Sequence, residues 1–286
     1  MLNSSVIFAL LSLFFAGVND IVFKKYSTKD RSRGMYVFGI GIIWSFLQVI
    51  TFILKDVPFS YNSITLIYGL VAGLFLTLSN ILFLHSLTHI DISLGSTIYR
   101  LNTIGVVILS YFVLHEAFGP IKFIGVTCGI IAVLFLYQKQ DSTHHAYNSL
   151  PFFWAVIVAS LFRATYGVVT KAGILLKADP EIMLLLITSS WIVGGACYAK
   201  FREKRFRFTR KKIFYSTLSG GLVFLIANFL MLAINHGQAS VVIPIANMSF
   251  VIALFISVTM KMEHLTTRKC CAIGSAAVSI ILLSQV

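Results

Sequence analysis

The chain has 286 residues, of which 58% are hydrophobic and only 12% are charged, and its mean hydropathy is +0.89. A soluble domain of this length needs far more polar surface, so the composition excludes one and indicates that lipid surrounds most of the protein. The net charge of +13 does not indicate nucleic-acid binding, because the basic residues cluster in loops between apolar runs, as they do in membrane proteins.

Ten apolar runs follow one another along the chain, and we interpret each as a helix that crosses a bilayer core about 30 Å thick. They cover residues 4–23, 34–54, 63–86, 91–114, 119–138, 150–172, 180–199, 213–235, 239–260 and 268–285. Pro120, Pro151 and Pro180 lie at helix starts, where a missing N–H costs little, and only Pro244 lies inside a run. We therefore predict an all-α membrane protein with ten transmembrane helices, in the cell (inner) membrane and without a cofactor.

Lysine and arginine are concentrated on one side of this predicted topology. If the spans alternate in direction, the loops after the odd-numbered spans carry 17 of the 23 Lys and Arg residues. The other side carries three, which are Lys55, Lys122 and Lys177. The positive-inside rule would place the basic side in the cytoplasm and both termini outside.

Comparison of the chain with itself indicates an internal repeat. A shift of 148 residues aligns Asn80 with Asn228, and a shift of 147 aligns Ser93 with Ser240, Glu116 with Glu263, and Lys122 with Lys269. The near-constant offset predicts two five-helix repeats, 1–140 and 150–286, within one membrane unit. Because five is odd, the second repeat is inverted relative to the first, an arrangement typical of secondary transporters.

Two segments resemble the fourth and ninth helices of the EamA-type transporters in the drug/metabolite transporter superfamily. They are Ile92–Phe118 (ISLGSTIYRLNTIGVVILSYFVLHEAF) and Ala239–Leu265 (ASVVIPIANMSFVIALFISVTMKMEHL). Each has a small-residue entry, a mid-helix Pro244 or its counterpart Thr97, and a Glu at the helix end. The resemblance covers the whole chain and implies a ten-helix transporter of five plus five helices. It also implies cytoplasmic termini, so the orientation stays open.

Three charged residues lie inside predicted spans, where each costs about 2.5–3.5 kcal/mol on insertion scales and normally faces a polar cavity. They are Asp20, Arg100 and Arg163 in spans one, four and six. Arginine binds carboxylate or phosphate through two parallel N–H bonds, which favours an anionic or zwitterionic substrate such as an amino acid. Asp20 either receives a substrate ammonium or a coupling proton, or pairs with an arginine and locks the helices. Lys171, near the end of span six, is expected to reach the membrane interface.

Polar residues lie on the same helix faces as these charged residues. Helical spacing places Tyr99 on the face of Arg100 and Tyr166 on the face of Arg163. The resemblance implies that spans one, three, four, six, eight and nine surround a central cavity. The alternative to substrate binding is hydrogen bonding between helices for the asparagines and ordinary packing for the tyrosines. The predicted substrate-binding set is Asp20, Asn80, Tyr99, Arg100, Arg163, Tyr166, Asn228 and Asn247.

The sequence favours a non-enzymatic secondary transporter of a small anionic or zwitterionic metabolite that works by alternating access, with Pro244 weakening span nine enough to let it bend. The alternatives are a flippase for a lipid-linked sugar or phosphate, and a membrane-embedded lipid-modifying enzyme, although HExxH and GxSxG motifs are missing.

No metal is expected, since His85 and His89 lack further ligands at a suitable spacing. The pairs Gly69–Gly73 and Gly125–Gly129 predict close helix packing within the chain. The expected partners are the lipid bilayer and a small-molecule substrate, with a proton as the candidate coupling ion. The oligomeric state and the direction of transport stay open.

Overall fold

The computed structural model describes residues 3–27, 32–56, 62–86, 92–136, 150–204, 206, 209–261 and 264–286. All regular structure in these residues is helical. The helices are α1 (Ser4–Ser27), α2 (Arg33–Leu54), α3 (Ser63–Ser86), α4 (Ile92–Arg100), α5 (Asn102–Leu114), α6 (Pro120–Phe135), α7 (Leu150–Leu175), α8 (Pro180–Cys197), α9 (Arg210–His236), α10 (Ala239–Ala246), α11 (Phe250–Thr259) and α12 (Thr267–Leu283). A π-helical turn, Tyr198–Arg202, follows α8, and a 3-10 turn, Asn247–Ser249, separates α10 from α11.

Eight helical stretches of the described chain have the length and apolar composition needed to cross a bilayer. They are Ser4–Phe23, Arg33–Leu54, Ser63–Ser86, Gly95–Leu114, Leu150–Leu175, Pro180–Arg202, Arg210–His236 and Ala239–Thr259. The two other spans are shorter, since α6 has 16 residues and α12 has 17, and these two helices pack along each other. The protein is therefore an all-α integral membrane protein, which confirms the predicted fold class.

Spans four and nine are each broken near the middle. Leu101, between α4 and α5, has φ −68° and ψ 1°, and Met248, between α10 and α11, has φ −82° and ψ 19°. A shift of 147 residues makes these two positions repeat mates. Pro244 lies one turn before the break of span nine and lacks the N–H that would bond to Ser240. Because span four breaks at the same place without a proline, the break is a feature of both repeats.

The contacts of each helix are matched by the contacts of the equivalent helix in the other half of the chain, as an inverted repeat predicts. Helix α1 packs on α9 as α7 packs on α3, and α2 packs on α9 as α8 packs on α3. Helix α1 also contacts span nine as α7 contacts span four, while α2–α8 and α6–α12 join equivalent helices of the two halves. The two repeats 1–140 and 150–286 stay a prediction. The contacts produce two facing groups, one of α1, α2, α9 and span nine, the other of α7, α8, α3 and span four.

Glycines allow close approach where the two groups meet. A Cβ built on Gly34 of α2 would lie 2.5 Å from the backbone N of Ala199, and one on Gly195 of α8 would lie 2.5 Å from the backbone N of Phe38. These distances leave no room for a side chain, so the α2 and α8 backbones are in contact. The Gly69–Gly73 pair faces α8 and the Gly125–Gly129 pair faces α12, which confirms that both pairs pack within the chain.

Candidate functional site

Arg100 lies at the break of span four, and its guanidinium bonds to two other spans. Its Nη2 donates to Asp20 Oδ2 at 2.8 Å, and its Nη1 donates to the Asn247 carbonyl and to Ser249 Oγ, both at 3.0 Å. Ser249 Oγ also donates to Asp20 Oδ2 at 3.2 Å, and the Phe250 ring centroid lies 5.7 Å from the guanidinium carbon. The charge of Arg100 is therefore paired, and the pair joins span one to span four as the sequence analysis allowed.

The two breaks exchange hydrogen bonds in a reciprocal pattern. Arg100 donates to Ser249, and Asn247, the repeat mate of Arg100, donates through Nδ2 to Asn102 Oδ1 at 2.7 Å. Asn102 is in turn the repeat mate of Ser249. Asn247 Nδ2 also lies 3.2 Å from Thr103 Oγ1. The breaks of spans four and nine are thus in direct polar contact.

Arg163, in the middle of α7, has aromatic rather than acidic neighbours. Its guanidinium carbon lies 5.5 Å from the centroid of the Tyr99 ring, an arrangement in which the ring quadrupole attracts the cation. Phe83 stacks on Tyr99 with ring centroids 4.1 Å apart. Within the described part of the chain, no carboxylate lies within 4.0 Å of an Arg163 nitrogen. Arg163 therefore carries a charge without an ionic partner.

Tyr166 lies three residues after Arg163, on the same side of α7. Its side chain is only 6% exposed, and its hydroxyl makes no hydrogen bond with a described residue. The Tyr99 hydroxyl, in contrast, accepts a bond from Ser79 Oγ at 3.1 Å. The Tyr166 hydroxyl thus lies near Arg163 without a hydrogen bond to a described residue.

The two predicted asparagines on spans three and eight do not share one environment. Asn80 Nδ2 donates to the Leu76 carbonyl of its own helix at 2.7 Å. Asn228 Nδ2 donates to Gln48 Oε1 at 3.0 Å, and Gln48, which is fully buried, donates to Glu181 at 2.9 Å. Asn228 thus belongs to a polar network that joins α2, α8 and α9, away from the arginines.

Three polar residues of the site were missed by sequence reasoning, namely Ser249, Asn102 and Ser79. The first two are repeat mates on the broken spans, so the 147-residue shift that pairs Arg100 with Asn247 could have identified them. Lys171 does reach the end of a neighbouring helix, where its Nζ donates to the carbonyls of Ile234 and Gly237, both at 2.7 Å. Its role at that point is to cap the C-terminus of α9.

The chemistry of the site suits an anion better than a metal. Two parallel N–H groups of a guanidinium can bind a carboxylate or a phosphate, and Arg163, whose neighbours are Tyr99 and Tyr166, is the intramembrane arginine without a described carboxylate within salt-bridge distance. In the part of the chain that the structure describes, no group of three His, Cys, Asp or Glu side chains could hold a metal ion. The side chain of Asp20 is 38% exposed and that of Arg100 20%, so their ion pair is partly accessible rather than fully buried.

Comparison with known proteins identifies a family domain in the first half of the chain. Residues 3–138 match the model of the EamA-like transporter family. No curated protein matches the chain. One crystal structure of a protein superimposes with a TM-score of 0.82 over 99% of this chain and 98% of that chain, at 14% identity, which shows a common fold alone. The resemblance seen in the sequence is confirmed over residues 3–138, which form an EamA-like transporter domain and indicate a membrane transporter.

Proposed function

We propose that the protein carries a small anionic or zwitterionic metabolite across the cell (inner) membrane by alternating access, and that Arg163 binds the anionic group. The observation that supports this proposal is the unpaired charge of Arg163 in the middle of a membrane helix. An intramembrane charge is costly without a partner. A substrate carboxylate or phosphate supplies that partner only while it is bound, so its binding is favoured over that of neutral or cationic compounds.

Asp20 supports the zwitterionic form of the substrate. Its Oδ2 accepts bonds from Arg100 and Ser249, whereas its Oδ1 accepts none from a described residue. A free carboxylate oxygen on a partly accessible side chain can accept a bond from a substrate ammonium group. An amino acid would then place its ammonium at Asp20 and its carboxylate at Arg163.

The Asp20–Arg100 ion pair is relevant to the energy source of transport. Protonation of Asp20 would remove the only carboxylate paired with Arg100 among the described residues, leaving a second unpaired guanidinium in the membrane. We therefore favour exchange or facilitated diffusion over coupling to a proton through Asp20.

Thermal stabilisation of the purified protein tests this function. Amino acids, organic acids, sugar phosphates and lipophilic cations are each added to the wild type, to Arg163→Met and to the matched control Arg202→Met, which alters an exposed arginine. A bound substrate raises the melting temperature by mass action. We expect an anionic or zwitterionic compound to stabilise the wild type and Arg202→Met but not Arg163→Met.

Two other outcomes would contradict the proposal. Stabilisation by lipophilic cations alone, unchanged in Arg163→Met, would mean that Arg163 does not contact the substrate and that the substrate is not an anion. No stabilisation by any soluble compound would instead favour a lipid-linked substrate.

A further inference from the structure

Helix α2 packs on α8 along one side and on α9 along the other, whereas α8 and α9 contact each other little. The α8 side is close at Gly195, where a Cβ would lie 2.5 Å from the backbone N of Phe38. The α9 side is close at Gly220, where a Cβ would lie 2.6 Å from Ile43 Cβ. Between these two contacts the outer face of α2 is uncovered by described residues, and Phe46 on that face is 63% exposed. We call this strip of α2 between α8 and α9 the α2 groove.

The α2 groove is apolar along its length. Four hydrophobic side chains recur on its floor at helical spacing and are between 40% and 68% exposed, namely Ile42, Phe46, Val49 and Ile53. On the α9 side, a Cβ built on Gly221 meets nothing within 4 Å, so the space beside this glycine is open. Lipid tails are as apolar as these side chains, and the groove therefore suits acyl chains.

Cations are concentrated at one end of the α2 groove. Lys200 and Arg202 lie in the π-helical turn after α8, and Arg210 and Lys211 lie in the first turn of α9. All four residues are exposed, and we call them the basic patch. Helix α9 has 27 residues and is therefore about 40 Å long, which exceeds a bilayer core of about 30 Å. The ends of such a helix extend to the level of the lipid headgroups.

The basic patch has no acidic partner within the described part of the chain. No described carboxylate lies within 4.0 Å of its charged nitrogens. Glu203, which is close in sequence, instead accepts a bond from the Ser32 hydroxyl and bonds from the first two backbone N–H groups of α2, at 2.9 and 3.2 Å. At the opposite end of α2, the charge of Lys55 is paired with Glu181. The two ends of the groove therefore differ in the charge that they present.

Exposed phenylalanines lie among the cations of the basic patch. Phe201 is 72% exposed and Phe214 is 64% exposed, and Lys200 Nζ lies 5.7 Å from the centroid of the Phe201 ring. The ring of Phe206 lies 5.5 Å from that of Phe38, at the start of α2. Basic and aromatic side chains together are typical of surfaces that lie in the interfacial layer of a membrane. A second copy of the chain is a poor partner for this surface, because a symmetric contact would bring two basic patches together.

We propose that the α2 groove and the basic patch bind an anionic phospholipid of the bilayer. The acyl chains lie along the outer face of α2, and the phosphate of the headgroup accepts charge-assisted hydrogen bonds from the basic patch. The bound lipid fills the gap between α8 and α9 and stabilises the packing of α2 between them. This site lies on the lipid-facing surface and uses none of the residues assigned to the transported substrate, so it does not rest on the proposed function.

Native mass spectrometry of the full chain tests the proposal. The protein is transferred from neutral-detergent micelles that contain equal amounts of dioleoyl phosphatidylglycerol and dioleoyl phosphatidylcholine, and the bound lipids are counted. We expect the wild type to retain phosphatidylglycerol in preference to phosphatidylcholine. In the double variant Arg210→Gln with Lys211→Gln, phosphatidylglycerol should bind about 25-fold more weakly, because each basic residue near an anionic headgroup contributes about a factor of five. The double variant should fold, since it removes cations from the positive N-terminus of α9.

The matched control is the double variant Lys261→Gln with Arg268→Gln. It removes the same charge from exposed positions at the same membrane face, but beside α12, which packs on α6 and α10. This control should retain phosphatidylglycerol as the wild type does. An equal loss in the control would assign lipid binding to the net charge of the face and would overturn the site.

Two further arms test the groove itself. Gly221→Phe adds a large side chain where the structure has room for it, and it should weaken phosphatidylglycerol binding several-fold without changing the charge. Glycerol phosphate, which has the anionic group but no acyl chains, should not displace the bound lipid at equal concentration. Displacement by glycerol phosphate would assign the basic patch to soluble anions instead of lipid. Phosphatidylglycerol binding that is unchanged in both Gly221→Phe and the Arg210→Gln with Lys211→Gln variant would also overturn the proposal.

Discussion

Arg100 and Arg163 are the two arginines inside the membrane spans, and they differ in what surrounds them. Arg100 bonds to Asp20, Ser249 and the Asn247 carbonyl. Arg163 has the Tyr99 ring beside it and no described carboxylate within salt-bridge distance. The first cation is used to hold three spans together at the breaks. The second has no described carboxylate partner, so the same residue type has a structural position in one place and a proposed binding position in the other.

The two halves of the chain differ at the positions that correspond to the two arginines. The repeat mate of Arg100 is Asn247, and the pair exchange reciprocal hydrogen bonds. The mate of Arg163 under the 148-residue shift is Phe15, which stacks on Phe229 with ring centroids 5.7 Å apart. One group of helices therefore presents a cation where the other presents an aromatic cluster. The proposed anion site would therefore belong to one half of the chain only.

The largest expected effect is on ligand binding by Arg163. In Arg163→Met, a compound that stabilises the wild type should bind about 100-fold more weakly, because hydrogen bonds to charged groups contribute about 1.5–3 kcal/mol. The melting temperature without ligand should fall less than in Arg100→Met, since the replaced charge loses the Tyr99 ring but no described carboxylate partner. Arg163→Lys keeps the charge but not the planar fork and should bind with intermediate affinity. Titration by thermal shift or calorimetry measures these differences, and a marked loss of stability in Arg163→Met without ligand would contradict the distinction between the two arginines.

Arg100→Met should show the opposite behaviour, a loss of stability. Removing one partner of a buried ion pair costs about 3–5 kcal/mol, and because the Asp20 side chain is 38% exposed, we expect about 2 kcal/mol here. In a thermal scan this corresponds to about 4–8 °C. The double variant Asp20→Asn with Arg100→Met leaves no unpaired charge and should recover part of the loss. If the double variant is as unstable as the sum of the two single variants, the ion pair is not what stabilises the breaks.

Two tyrosines provide a smaller contrast of the same kind. The Tyr36 hydroxyl is hydrogen-bonded to Ser219 in a buried position, whereas the Tyr166 hydroxyl makes no bond with a described residue. Tyr36→Phe leaves the Ser219 hydroxyl unpaired and should cost about 1 kcal/mol of stability. Tyr166→Phe should leave the melting temperature unchanged and should weaken ligand binding by a few-fold. A loss of stability in Tyr166→Phe equal to that in Tyr36→Phe would show that Tyr166 is a packing residue.

The spans could be predicted because apolar runs of about 20 residues are a property of the sequence itself, whereas the two repeats, which rest on a near-constant offset, stay a prediction. The pairing of Asp20 with an arginine was one of the alternatives that the sequence left open. That Arg163 has no described carboxylate partner could not be predicted, because it depends on which helices pack together and bring a carboxylate near. Asn228 illustrates the same limit: Gln48 bonds to it, but the 148-residue mate of Gln48 is Ala196, so Asn80 has no such partner. The break at Leu101 was missed because span four contains no proline to indicate it.

The smallest expected effect concerns Pro244. The sequence suggested that this proline lets span nine bend, but span four breaks at the equivalent residue, Leu101, with no proline. The breaks are instead joined by the bonds of Arg100 and Asn247 across the two repeats. We therefore expect Pro244→Ala to leave the break in place and to change stability by less than about 0.5 kcal/mol.

Distances between spin labels on α10 and α11 would measure the break directly. They should be unchanged in Pro244→Ala and altered in the control Asn247→Ala, which removes the amide that bonds to Asn102 and Thr103. If span nine is straight in Pro244→Ala, the proline causes its break. The matching break of span four would then have a different cause. An unchanged span nine would mean that each break is held by the other repeat, so that a movement of one broken span must alter the other.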